Sequence, residues 1–326
     1  MDQSVVAELK EYGFVNNSEN ILTSDEVHEL KHFINNLFSD KSIDINTSSN
    51  ALVIEFLRAC PFACNYCYRA TGRTVRYKSH KKIIAEIKHT LHTFGKRNPY
   101  FYFNSGGTWP LGKQHGLDIC NEIIKSNLKI NWLTTTRVDT IDEELLACMK
   151  KAGCNHIAFG IESGDPEILR YSGKAQTVEG ALRAIKLAHK MGMLTQTDFV
   201  LGLPFENRET IKNTYKLIKE VRQYSGIANF AILVPYPGTE AYEMALKGEG
   251  GIKIKTRDWT EYGKNAGNTI IHENFRRGEL QRFQLKCFLA YYLFPPTRFI
   301  KYFDSYKLMN LFSVRRMFHL FSRVFN

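Results

Sequence analysis

The sequence predicts an α/β fold built on a parallel sheet with helices packed against it. Two observations predict this class. From residue 51 onward, short apolar runs alternate with longer amphipathic runs, and six apolar runs follow one another in this way. Each apolar run has the length of a buried strand. The periodicity allows either a partial barrel of six units or an open, doubly wound sheet, and in both the chemistry collects at the carboxyl ends of the strands.

The predicted elements follow from these runs. Strands are expected over residues 51–57, 100–104, 130–135, 156–161, 194–201 and 228–234. Helices between them are expected over residues 81–94, 114–126, 142–152, 177–191 and 208–224. Three regions result: a short helical leader over 1–45, a core over 46–245, and a mostly helical, basic and aromatic extension over 246–326.

Length and composition are those of a globular protein. The chain has 326 residues, 44% of them hydrophobic, which suffices for one large domain or two modest ones. Seven cysteines show no disulfide framework and the first residues lack a secretory signal, so a reducing, cytoplasmic location is expected. No apolar run reaches the roughly 18 to 20 residues that span a bilayer. The net charge of +11 suits an anionic substrate, a nucleic acid or a membrane surface, and does not choose among them.

Three closely spaced cysteines follow the first predicted strand. Cys60, Cys64 and Cys67 have the spacing C-x3-C-x2-C, and no fourth cysteine lies near them in the sequence. A structural zinc site takes four protein ligands, whereas an iron–sulfur cubane held by three thiolates leaves one iron free to bind another molecule. A zinc site with a remote fourth ligand, or three unrelated thiols, would also account for the spacing.

This loop resembles the signature motif of the radical S-adenosylmethionine (SAM) superfamily, with an aromatic residue, Tyr66, before the last cysteine. The resemblance implies that Cys60, Cys64 and Cys67 hold a 4Fe-4S cluster, which is the catalytic centre and chelates the amino and carboxylate groups of SAM. An electron from the cluster is then expected to split SAM into methionine and a 5'-deoxyadenosyl radical. The same resemblance selects a partial (β/α)6 TIM-like barrel over the doubly wound sheet.

A glycine-rich segment after the second strand is similar to the SAM-binding motif of the superfamily. It contains Gly106, Gly107 and Thr108, and Thr108 stands where the common form has a glutamate. Glycines there let the backbone approach a ligand closely, because they carry no side chain. The resemblance assigns this segment to the methionine part of SAM, whereas a plain βα turn with two glycines is the alternative.

The ends of the third and fourth strands carry polar side chains. Thr136 is assigned to cofactor binding, and Arg137 either binds a carboxylate or braces the rim by pairing with Asp139. Glu162 ends the fourth strand and is followed by Lys174, and both are expected to meet polar groups of SAM. A solvated carboxylate on the rim is the alternative for Glu162.

The end of the fifth strand is similar to the element that lines the adenine in this superfamily. Gly202 and Pro204 are therefore assigned to the adenine, beside Tyr66, which is expected to contact the same base. The first glycine of that element is replaced here by Asp198.

Four runs resemble, in order and spacing, the radical SAM half of the anaerobic magnesium-protoporphyrin cyclase type, a group that includes cobalamin-dependent relatives. They are CPFACNYC, FGIESGDPEILRYSGK, FVLGLPFENRETI and VPYPGT. A leader of about 50 residues is too short for a cobalamin-binding domain, so no cobalamin is expected in this chain. The expected function is radical chemistry on an unidentified small molecule. Methyl or methylthio transfer, and a non-catalytic iron–sulfur sensor, are the alternatives.

The expected partners follow from the same resemblance and from the end of the chain. A small-molecule substrate and an electron donor such as flavodoxin or ferredoxin are implied, and nucleic acid is not expected because no RNA-binding motif is present. The last predicted helix, over about residues 305–325, combines apolar and basic residues. That pattern favours a helix packed on the barrel base, and a helix lying peripherally on an anionic membrane surface is the alternative.

Overall fold

The computed structural model describes residues 51–94, 100–104, 107–262 and 269–292. The predicted leader over 1–45 and the predicted helix over 305–325 lie outside these ranges, and so does Gly106. Within the described ranges, no helix combines the length and the apolar character that crossing a membrane requires.

The elements alternate along the chain as the periodicity predicts. In chain order they are β1 (Leu52–Glu55), β2 (Leu57–Arg58), β3 (Arg76–Tyr77), α1 (His80–Phe94), β4 (Tyr100–Asn104), α2 (Lys113–Lys125), β5 (Asn131–Thr136), α3 (Glu143–Lys151), β6 (Cys154–Glu162), α4 (Pro166–Tyr171), α5 (Val178–Lys190), β7 (Leu194–Leu201), α6 (Thr210–Val221), β8 (Ile227–Ile232), α7 (Glu240–Lys247), β9 (Ile252–Ile254), β10 (Ile270–His272) and α8 (Glu279–Tyr292).

A six-stranded parallel sheet forms the centre of the described chain. Its spatial order is β1-β4-β5-β6-β7-β8, and every neighbouring pair is parallel. Because each strand lies beside the next one in the sequence, the helices between them wind in one direction, as in a barrel. The predicted partial (β/α)6 TIM-like barrel is therefore confirmed. All six carboxyl ends lie at the same edge of the sheet.

The core lies between the sheet and its helices. Alternate strand residues, such as Trp132 and Phe103, are buried, and their rings stack with 4.4 Å between centroids. Several helices begin at side chains that cap them: Asp142 accepts a hydrogen bond from Leu145 N at 2.9 Å before α3. Such caps satisfy backbone N–H groups that would otherwise lack a partner.

The first predicted strand is wrong at its end. The strand leaves the parallel sheet after Phe56, whose N–H donates to Asn104 O at 3.2 Å. The Phe56 carbonyl then accepts a hydrogen bond from Lys78 N at 2.9 Å, and β2 pairs antiparallel with β3. The local apolar pattern predicts one strand over residues 51–57, because it contains no information about the contact between Phe56 and Lys78.

Helix α8 covers the edge strand β8. Gln284 Nε2 donates to Phe230 O at 2.5 Å, and the Tyr292 hydroxyl both donates to Ala228 O and accepts from Ala228 N, each at 2.9 Å. An edge strand has backbone N–H and C=O groups that could pair with a further strand. The side chains of α8 occupy some of these groups in β8.

Candidate active site

The three predicted cysteines lie together in the loop at the carboxyl end of β1. Cys67 N donates to Cys64 O at 3.2 Å, and Cys60 N donates to Gly72 O at 3.4 Å, so the loop turns back on itself. Burial raises the pKa of Cys67, and the neighbouring charges of Cys64 and Cys60 raise it further. The structure therefore brings the three thiols into one electrostatic neighbourhood.

Asn65, to which the sequence assigned no role, ties this loop to the barrel. Its N–H donates to Ser172 O and its Nδ2 donates to Tyr171 O, both at 3.0 Å. Gly173 has φ 68°, and a Cβ there would lie 2.5 Å from Ala63 O. The end of α4 therefore approaches the cysteine loop closely. The position of Asn65 inside the cysteine motif is the signal that could have found it.

Arg137 lies buried beneath the loop. Its guanidinium stacks on Phe62 with Cζ 3.9 Å from the ring centroid, and Nη1 is 3.9 Å from Cys64 Sγ. Nε and Nη2 donate to Asp139 at 2.8 and 2.6 Å, which is the bracing arrangement considered from the sequence. If the cysteines bind a cofactor as thiolates, the fixed positive charge beside Cys64 would offset part of their negative charge.

Glu162 and Lys174 form a buried ion pair at the end of β6. Lys174 Nζ lies 2.9 Å from Glu162 Oε1, and the two residues are 6% and 9% exposed. Glu162 has φ 67°, which is rare for a residue with a side chain and costs about 1–3 kcal/mol of strain. A Cβ at Gly160 would lie 2.6 Å from Glu162 Oε1, so this glycine makes room for the pair. Glu162 is thus not a solvated rim carboxylate.

Tyr66 places a phenol between the cysteine loop and this ion pair. Burial raises the pKa of Tyr66 well above its usual value, and the nearby charges of Glu162 and Cys64 raise it further. The hydroxyl is buried and makes no hydrogen bond of ordinary geometry with a described residue. A buried hydroxyl without a partner is uncommon, and a ligand group is one way to satisfy it.

The segment after β4 borders the same loop. A Cβ at Gly107 would lie 2.8 Å from Cys60 Cβ and 3.4 Å from its Sγ, so glycine permits this close approach. Thr108 is buried, its hydroxyl lies 3.3 Å from that of Thr136, and it accepts a hydrogen bond from Arg137 N at 3.1 Å. Thr108 therefore holds the Arg137 backbone, and Thr136 contacts Thr108.

The turn after β7 packs against the C-terminal segment. Gly202 has φ 76°, and a Cβ there would lie 2.9 Å from Leu280 Cδ1. Its N–H donates to Glu206 Oε2 at 2.5 Å. Glu206 is fully buried, and burial raises its pKa to about 8. Pro204 is buried too, and the turn at Gly250 packs on it.

The fold places a loop of three thiols at the carboxyl ends of a parallel barrel. Comparison with known families names the class: the Radical SAM superfamily matches residues 54–218, slightly more than half of the chain. The chain belongs to the radical SAM superfamily. Membership of this superfamily implies a 4Fe-4S cluster and SAM as cofactors.

Curated relatives agree with this membership. An uncharacterized methyltransferase of Pyrococcus horikoshii is 28% identical over 271 residues, which cover 82% of this chain and 57% of that protein. The anaerobic magnesium-protoporphyrin IX monomethyl ester cyclase of Rubrivivax gelatinosus is 30% identical over 266 residues, which cover 77% of this chain and 46% of that protein. The chain spans about half the length of these relatives.

Solved structures share the fold. The radical SAM methyltransferase TsrM from Kitasatospora setae, with cobalamin and a [4Fe-4S] cluster bound, superposes with a TM-score of 0.56 at 19% identity and covers 66% of this chain and 43% of its own. The cobalamin-dependent radical enzyme OxsB, with aqua-cobalamin and SAM bound, gives a TM-score of 0.56 at 17% identity and covers 76% of this chain and 42% of its own. At these identities the likeness establishes the fold alone.

The residues present fit the implied cofactors. As the side chains stand, no three His, Cys, Asp or Glu groups among the described residues converge as ligands of one metal ion. A cubane does not require that, because each thiolate binds a different iron. Gly107 lets the backbone after β4 approach Cys60 closely, and the Tyr66 hydroxyl has an unused hydrogen-bonding capacity next to Cys64. Both features suit a ligand seated over the cysteine loop.

Proposed function

We propose that this protein cleaves SAM reductively and that the resulting 5'-deoxyadenosyl radical abstracts a hydrogen atom from a small-molecule substrate. One observation carries the proposal: three thiols, an unpartnered phenol and a buried Glu–Lys pair meet at the carboxyl end of one barrel. When bound through Cys60, Cys64 and Cys67, the cluster supplies the electron that breaks the carbon–sulfur bond of SAM.

The protein's own groups position SAM. The backbone at Gly107 lies close enough to Cys60 to hold the methionine part beside the cluster. Thr108 acts through Arg137, because its hydroxyl accepts a hydrogen bond from Arg137 N and the Arg137 side chain reaches Cys64. The Thr136 hydroxyl contacts that of Thr108 and so supports it. Arg137 is thus a positioning residue for the cysteine loop.

Glu162 supplies a hydrogen-bond acceptor for the adenosyl part. Lys174 engages only Oε1, so Oε2 remains for a ribose hydroxyl or the SAM ammonium. The ion pair holds the carboxylate in one orientation, which reduces the reorganisation needed when SAM binds. The Tyr66 phenol lies beside it and can hydrogen-bond to the same part of the ligand.

The turn after β7 offers its backbone to the adenine. Gly202 packs on Leu280 and Pro204 packs on the turn at Gly250, and these contacts fix the position of the turn. Glu206 holds that turn through its hydrogen bond from Gly202 N.

Anaerobic reconstitution tests the proposal. The full chain is treated with iron and sulfide, reduced, incubated with SAM and analysed by mass spectrometry. The wild type should yield methionine and 5'-deoxyadenosine. The C60A/C64A/C67A variant should lose both the iron chromophore and the products. The C148A variant, with a half-buried thiol on α3, should retain both. Cleavage by the triple variant, or zinc as the bound metal in the wild type, refutes the proposal.

Methyl transfer is the second candidate, and the names of the relatives favour it. The Pyrococcus protein is named as a methyltransferase, and TsrM is a radical SAM methyltransferase. Transfer of the SAM methyl group leaves S-adenosylhomocysteine, whereas hydrogen abstraction leaves 5'-deoxyadenosine. The same product analysis, repeated with added cobalamin, separates the two reactions.

A further inference from the structure

The chain around the cysteine loop carries an unbalanced positive charge. Between Glu55 and Glu86 there is no aspartate or glutamate, but there are seven lysines and arginines. Two of them are neutralised: Arg58 lies 2.7 Å from Glu55, and Lys78 lies 2.8 Å from Glu86. The other five form no ion pair with a described residue, and they are Arg69, Arg73, Arg76, Lys81 and Lys82.

These cations lie on a segment that folds back against the cysteine loop. We call residues 68–82 the basic arm. Gly72 O accepts the hydrogen bond from Cys60 N, and Arg76 lies opposite Arg58 in the ladder between β2 and β3. Arg73 and Arg76 are both exposed. The positive surface therefore borders the thiols directly.

The cysteine loop reaches the surface where the basic arm begins. Cys64 is buried, whereas Cys60 and Cys67 are half-buried. Tyr68 follows Cys67 directly and is 59% exposed. A group held by these thiols would come nearest to solvent on the side where the arm departs.

We propose that the basic arm docks an acidic one-electron carrier protein. The inference rests on the proposed function, because reductive cleavage of SAM consumes one electron from outside the protein. In the docked complex the carrier would be oxidised by one electron, and an iron–sulfur group bound through Cys60, Cys64 and Cys67 would be reduced by one. Complementary charge raises association rates by about 10- to 10³-fold and is screened beyond about 10 Å at 0.1 M salt.

The location favours an electron carrier over other anionic partners. A nucleic acid or an anionic membrane would be attracted by the same charge. Neither needs to approach the thiols, whereas a redox partner must bring its own centre close to them. A second basic cluster lies at the C-terminal end of α7 and around β9, where a cleft of about 420 Å³ is lined by Lys247, Lys253, Lys255 and Arg257. The helix dipole stabilises Lys247 at the end of α7, and no thiol lines this cleft.

A binding measurement tests docking without requiring enzyme activity. The full chain is titrated with an oxidised, acidic flavodoxin by calorimetry at 25 and 300 mM salt. The wild type should bind more weakly at high salt, and R73E/R76E should bind at least tenfold more weakly than the wild type at low salt. K253E/K255E makes the same charge change at exposed cations and should bind within twofold of the wild type. Equal binding by R73E/R76E and the wild type, or equal losses in both variants, overturns the proposal. A parallel titration with single-stranded RNA that shows binding where flavodoxin shows none also overturns it.

A choice of reductants separates docking from the chemistry. SAM cleavage is followed with reduced flavodoxin and with reduced methyl viologen, a small cation that needs no docking surface. R73E/R76E should be at least tenfold slower with flavodoxin and within twofold of the wild type with the viologen. If R73E/R76E loses SAM cleavage with both reductants, the substitutions damage the cysteine loop, and the proposal is contradicted. Failure of the wild type with the viologen refutes the proposed function, and the calorimetry then decides docking by itself.

Discussion

Lys174 donates a 2.9 Å hydrogen bond to Glu162, and both side chains are buried at the end of the barrel. The attraction between the two charges offsets part of the desolvation cost of burying them. A buried pair of this kind contributes little net stability, but an unpaired member is costly.

The K174M variant should expose that asymmetry. Removing the ammonium leaves Glu162 buried without its counter-charge, so the free energy of unfolding in urea should fall by about 3 kcal/mol. The double variant E162Q/K174M should recover most of this loss, because no charge is left buried. Both variants should bind SAM more weakly. A double variant as unstable as the single one would show that packing, not charge, dominates here.

The Tyr66 hydroxyl should matter for the ligand and not for the fold. Because it lacks a hydrogen bond to described residues, Y66F should leave the free energy of unfolding unchanged or raise it by up to about 1 kcal/mol. SAM affinity, measured by equilibrium dialysis, should fall about tenfold. Tyr100 is the matched control, since its hydroxyl donates to Asn155 at 2.5 Å. Y100F should therefore lose about 1 kcal/mol of stability and keep its SAM affinity.

A methyl group at position 107 should disturb cluster assembly. A Cβ there would lie 2.8 Å from Cys60 Cβ, so the backbone or the cysteine must move. G107A should retain the wild-type helical content by circular dichroism but bind less iron and sulfide per chain after reconstitution. G180A, in α5, is the control and should assemble normally. Full iron content in G107A would show that the cysteine loop can shift to accommodate the methyl group and still bind iron.

Buried Glu206 should give the protein a pH-dependent stability. Its pKa is raised to about 8 from an ordinary value of 4.5. The folded state therefore keeps a proton that the unfolded state has lost between these two values. The resulting stabilisation is complete below pH 4.5 and is lost as the pH rises through 8.

The E206Q variant isolates that contribution. Between pH 5 and 8, the unfolding free energy of the wild type should decline relative to E206Q by up to about 1.4 kcal/mol per pH unit. E249Q changes an exposed carboxylate and should run parallel to the wild type. Parallel profiles for E206Q and the wild type would contradict the raised pKa.

Local patterns predicted much of the barrel. The strand expected over residues 194–201 is observed at Leu194–Leu201, and α5 lies within one residue of its predicted bounds at each end. Two helices escaped prediction: α4 has 6 residues and α7 has 8, so neither completes enough turns for a clear apolar period. The break after Phe56 also escaped, because a backbone contact with Lys78 decides it.

The amino-acid sequence by itself determined the strand and helix alternation and the spacing of Cys60, Cys64 and Cys67, because both are encoded over a few neighbouring residues. Only the tertiary structure decided which charges meet. Arg137 contacts Cys64, which lies 73 residues earlier in the chain. Lys174, which follows α4, contacts Glu162 at an irregularity in the pairing of β6. These contacts depend on which groups the packed core removes from water. The burial of a group is set by the whole barrel and cannot be derived from one short segment of the sequence.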